Sequence, residues 1–156
     1  MRKKDHIRDY AIAAFRFYKS VGGVKKYKDK LWDDALANHK YSGEKSVGIS
    51  NPVEADIMRA QSAIDNAYAA VADLEAVERT LDIIAKYDNG TYIRKALEIV
   101  YMPNEFGGEV DKPIERGDIQ DRVHKAGIYI PAAESTVYLY LSKARMIFAI
   151  ERGLRL

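Results

Sequence analysis

Apolar residues along this chain recur at spacings of three and four nearly throughout, and no stretch alternates strictly as a half-buried strand would. In "DHIRDYAIAAFRFYKS" (residues 5–20), Ile7, Ala11, Ala14, Phe15 and Tyr18 fall on one helical face, and Gly22-Gly23 ends the segment. A second helix is expected over about 24–39, with Tyr27, Leu31, Ala35 and Leu36 inward. The run "YSGEKSVGIS" (41–50) has no periodicity and reads as a loop.

The longest pattern covers 51–88. Asn51 suits an N-cap, Pro52 the first helical position, and Glu54 lies three residues past the cap. Val53, Ile57, Ala60, Ile64, Ala67, Val71 and Leu74 follow as a heptad seam, and Val77, Leu81 and Ile84 continue it after a phase shift. One helix of about 55 Å is therefore expected at 1.5 Å per residue, closed by Asn89-Gly90. It would serve as the backbone of a bundle or as a homo-oligomer seam through residues 53–84. "TYIRKALEIVYM" (91–102) is a further helix with Ile93, Leu97 and Tyr101 inward, and "PNEFGGEVDKP" (103–113), with two prolines and two glycines, reads as a linker. The expected fold is all-α. It divides into an N-terminal helical region (1–102), the linker (103–113) and a C-terminal unit (114–156).

In the C-terminal unit, 114–127 reads as a short helix capped by Asp118, with Ile119 and Val123 inward. Residues 127–133 read as a long turn, and 134–152 as a second helix with Val137, Leu141, Ala144 and Phe148 on one face, flanked by Tyr140 and Ile147. Gly153 is the expected C-cap, with Leu154 supplying the accompanying apolar contact. A helix, a turn and a second helix opening on hydroxyl residues form the pattern of a DNA-binding helix-turn-helix, whose second helix enters the major groove by its first turns. The face opposite the core carries Ser135, Tyr138, Leu139, Ser142, Lys143 and Arg145, a mixture able to bond phosphates and base edges.

"STVYLYLSKAR" (135–145) resembles the recognition helix of sigma-factor region-four domains. With "MIFAIERGL" after it, the segment is similar to small phage-encoded transcriptional regulators of the ArpU and RinA kind. That resemblance implies a regulator that binds duplex DNA through the helix at 134–152, with DNA-contacting roles for Thr136, Tyr138, Ser142, Lys143 and Arg145, and RNA polymerase as a second partner. The sequence departs from the pattern in three places. Leu139 and Tyr140 stand where an arginine is usual, Ala133 replaces the hydroxyl cap, and "AGIYIPAA" makes the turn look expanded.

Composition narrows the classes. At 156 residues, 47% hydrophobic and 31% charged, the chain can bury a core without disulfide or metal, and it has no cysteine. No apolar run reaches a membrane span and the basic start has no apolar stretch behind it, so a cytoplasmic protein without membrane contact is expected. Residues 1–40 carry eleven Lys and Arg against five Asp and Glu, whereas 51–90 carry three against eight. Basic ends suit an anionic partner, with Lys25, Lys26, Lys28 and Lys30 as a second electrostatic footprint. His6, His39 and His124 have no helical partner ligand, and no P-loop or nucleophile elbow occurs, so neither an enzyme nor a metal or cofactor site is expected. Two other classes stay open. One is a small terminase-like packaging subunit that forms a ring through the heptad stretch, and the other is a helical protein-interaction module presenting Tyr138 and Leu139.

Overall fold

The computed structural model describes residues 5–42, 52–102 and 116–155, and among these it shows seven α-helices and no strand. The N-cap Asp5 accepts the Arg8 amide at 2.9 Å and opens α1 (His6–Val21). Gly22 ends it in the left-handed region at φ 82°, its N–H bonded to the Tyr18 carbonyl at 3.1 Å. Ala11, Ala14 and Phe15 form the buried face that the spacing predicts.

After the glycine pair, α2 (Val24–Ser42) begins with the Val24 amide held by Glu78 at 3.3 Å. Tyr27 meets Phe17 edge-on with ring centroids 5.3 Å apart. The expected loop (41–50) and the Asn51 cap fall largely outside the described residues, which resume with α3 (Pro52–Asn66). α3 packs chiefly on α2, and no described side chain of either helix joins the main core.

The long helix expected over 51–88 is two helices. α3 gives way at Ala67 to α4 (Tyr68–Ile84), because the Ala67 amide bonds the Ile64 carbonyl three residues back and its ψ of 21° leaves the helical range. The two halves of the seam then do different jobs. Val71, Leu74, Val77, Leu81 and Ile84 are buried, including the residues beyond the phase shift. Val53 and Ile57 stay exposed, whereas Ala60 is buried and Ile64 half-buried away from the main cluster.

Gly90 does not close the preceding helix but starts α5 (Gly90–Val100). A Cβ at this position would lie 2.1 Å from the Ile84 carbonyl oxygen, so glycine is required by the close approach of two backbones. Ile93, Ala96, Leu97 and Val100 are buried on α5, and Tyr101 and Met102 follow them inward. The linker (103–113) lies outside the described residues.

α6 (Arg116–Tyr129) and α7 (Glu134–Arg152) complete the chain, and Gly153 caps α7 at φ 77° while the Leu154 amide bonds Ala149 at 2.9 Å. Leu154 packs against the core, as a capping contact of this kind requires. Val123, Ala126 and Ile130 join Val137, Leu141, Ala144 and Phe148 in one cluster with α1, α4 and α5. Phe15 lies at its centre, against Phe148 at 5.6 Å and stacked on Tyr101 at 6.1 Å. Polar ties reinforce the same junctions. Asp73 of α4 accepts from Tyr10 of α1 and from Arg152 of α7, the latter at 2.7 Å, and Arg79 holds Glu151 at 3.1 Å.

Candidate nucleic-acid interface

The turn between α6 and α7 is shorter than the sequence suggests. The sequence predicts a turn from Gly127, yet α6 continues to Tyr129, leaving only Ile130–Ala133 between the helices. The stripe Val123, Ala126, Ile130 carries the helical spacing through this segment and into the core. Pro131 then stops the helix, since it has no amide to donate and disfavours helical geometry in the residue before it. The turn doubles back closely, so that a Cβ on Gly127 would meet the Ala132 carbonyl oxygen at 3.3 Å. The turn expected over 127–133 is therefore corrected to four residues.

Ala133 supplies no side-chain cap to α7. Glu134 instead reaches back to His124 on α6, Oε1 to Nδ1 at 2.9 Å, and pins the start of one helix to the other. Val137, Leu141, Ala144 and Phe148 hold α7 to the bundle. The opposite side presents Ser135, Tyr138, Leu139, Ser142 and Lys143 to solvent, with Thr136 half-buried beside them.

Two of the cationic candidates are not simple solvent-facing charges. Arg145 is half-buried and donates to the Tyr101 hydroxyl at 2.8 Å, which turns it from the outward face toward the end of α5. Lys143 is exposed, but its Nζ lies 4.0 Å from the centroid of the Tyr87 ring in the turn between α4 and α5. Arg152, the remaining cation of α7, is bonded to Asp73. Lys143 is thus the α7 cation left on the exposed side.

The outward face is more apolar than the list of candidates anticipates. Leu139 is 69% exposed, Met146 55% and Ile150 61%, and their spacing of seven and then four aligns them along the helix. Met146 and Ile150 are not among the residues the helix-turn-helix pattern points to, although their spacing from Leu139 is plain in the sequence.

Elsewhere, the lysines of α2 do not form an unbalanced patch. Lys28 lies 3.8 Å from Glu75, and the exposed Lys25, Lys26 and Lys30 are interspersed with exposed Asp29, Asp33 and Asp34. A depression of about 300 Å³ at the start of α5 is lined by Ala85, Gly90, Thr91, Arg94, Lys95 and Glu98. Among the described residues there is no cluster of three or more His, Asp or Glu able to hold a metal ion, and no helix long and apolar enough to cross a membrane. Comparison of the chain with protein-family models, curated proteins and solved structures gives no match.

Proposed function

We propose that this chain is a DNA-binding transcriptional regulator of phage or prophage type, reading duplex DNA with the N-terminal half of α7. The observation that carries the reading is the outward display of Ser135, Tyr138, Leu139 and Ser142 directly after a four-residue turn, on a helix whose other side is anchored in the core. Such a helix can enter a major groove as a rigid probe. Its hydroxyls are suited to phosphates or base edges, and Leu139 to a thymine methyl group. RNA polymerase is a second partner on the sequence resemblance alone.

Fluorescence anisotropy with duplex DNA at two salt concentrations tests the reading, using wild type and a Tyr138→Ala/Ser142→Ala variant. Both positions are exposed, so the variant keeps its fold, checked by circular dichroism. Binding that weakens with salt and is lost in the variant supports the proposal, and no binding by the wild type at low salt overturns it.

The exposed line of Leu139, Met146 and Ile150 favours a second reading, a protein-interaction module. Under it, duplex affinity is absent and Met146→Ser/Ile150→Ser abolishes a protein contact. The ring-forming packaging reading draws less support, because Val71 to Ile84 of the heptad stretch lie inside the chain's own core.

A further inference from the structure

α7 leaves Lys143 as its outward cation, since Arg145 and Arg152 are bonded to Tyr101 and Asp73. A helix that reads base edges lies between two phosphate rows, and affinity for duplex DNA depends chiefly on cations that meet those rows. Counter-charge for α7 must therefore come from whatever lies beside it. The element that Lys143 touches is the turn between α4 and α5.

That turn is built as a fixed platform. The Tyr87 amide donates to the Ile84 carbonyl at 3.1 Å, and the Gly90 amide donates to the Tyr87 carbonyl at 3.0 Å. The close approach of Gly90 to Ile84 leaves it no slack. A lysine on a free four-carbon stem samples many positions, and the aromatic face restricts its ammonium to one edge. Lys86, the neighbour of Tyr87, is exposed and has no ion pair among the described residues. Ala85 and Gly90, at the two ends of this turn, line one depression with Thr91, Arg94 and Lys95 of α5. Arg94 is paired with Glu98 at 3.2 Å, while Lys95 is exposed and unpaired among the described residues. Against Lys86, Lys143, Arg94 and Lys95 stand three exposed carboxylates, Asp82, Asp88 and Glu98, so positive charge exceeds negative by one.

We propose that the turn between α4 and α5 is a second, phosphate-facing part of the DNA interface, in which Tyr87 positions Lys143 and Lys86 adds a further phosphate contact. The inference rests on the DNA-binding reading of α7 and extends it to an element about 50 residues earlier in the chain. Tyr87 is a positioning residue: it acts through Lys143.

The test measures the dependence of log affinity on log salt for a mixed-sequence duplex. Lys86→Gln and Lys143→Gln each make the slope shallower by about 0.9, the contribution of one phosphate contact. Tyr87→Phe, which keeps the aromatic face, binds as wild type does. Tyr87→Leu weakens binding in the wild-type background and has no further effect once Lys143 is Gln, as coupling through one contact demands. An unchanged slope in Lys86→Gln, together with an equal effect of Tyr87→Leu in both backgrounds, overturns the inference. The reading of α7 survives that result if Tyr138→Ala/Ser142→Ala still abolishes binding. No duplex binding by the wild type at low salt overturns both.

Discussion

The guanidinium of Arg145 donates to the hydroxyl of Tyr101 at 2.8 Å, joining the middle of α7 to the end of α5. The phenol is 2% exposed and stacked on Phe15, and burial pushes its pKa above the usual tyrosine value while Arg145 opposes that shift. A side chain that sequence reading assigns to DNA thus has a bond within the fold as well. Tyr101→Phe is expected to lower stability by about 1 kcal/mol, the net worth of a typical hydrogen bond, with duplex affinity unchanged. Urea unfolding and anisotropy on the same variant check both halves. Loss of DNA affinity without loss of stability would return Arg145 to the interface.

Gly90→Ala gives a sharper stability test. The added methyl group would sit 2.1 Å from a backbone oxygen, so α4 and α5 must separate to admit it. Overpacking that moves backbone costs about 1–3 kcal/mol, and a shift of this size in the urea midpoint is expected. Gly117→Ala provides the contrast, since nothing lies within 4 Å of its added Cβ.

Asp73 ties three helices, accepting from Tyr10 and Arg152 while its own side chain is 22% exposed. Asp73→Ala strands both partners, and a loss of about 1–3 kcal/mol is expected for groups left without their bond. A double-mutant cycle with Arg152→Met measures how much of this belongs to the ion pair. Independent, additive losses would show that the pair contributes nothing beyond its separate parts.

Alkaline conditions act on the same junctions. The pKa values of Tyr10, Tyr18 and Tyr101 are all raised, in each case chiefly by burial. Around and above the ordinary tyrosine value, the folded chain holds protons that the unfolded chain has released. Stability is therefore intact below a pH of about 10 and falls as pH rises beyond it. Thermal unfolding across that range is expected to show the decline, with a gentler slope in Tyr101→Phe.

Much of this architecture is written in local spacing. The faces of α1 and α7, the Gly22 and Gly153 caps and the all-helical class follow from periodicity and backbone preference, which act over one or two turns. The break at Ala67 is different in kind, because the heptad register runs unbroken through it. Only packing separates α3, which leans on α2, from α4, which enters the core. The turn at Ile130–Ala133 is shorter than local pattern predicts because Gly127 looks like a breaker. In the fold it is a helical residue whose missing side chain lets Ala132 approach. The inward turn of Arg145 and the seat of Lys143 on Tyr87 depend on residues 44 and 56 positions away, beyond the reach of any local pattern.

The cluster around Phe15 has a thermodynamic corollary. Because α6 and α7 close the same interior as α1, α4 and α5, the described residues of the C-terminal segment share their apolar contacts with the N-terminal helices. If α7 carries the proposed contact, a ligand bound there is expected to slow amide exchange in α1 and α5 as well as at the contact itself. Protection gained far from the contact is then the expected signature of occupancy, read by hydrogen exchange with and without duplex DNA.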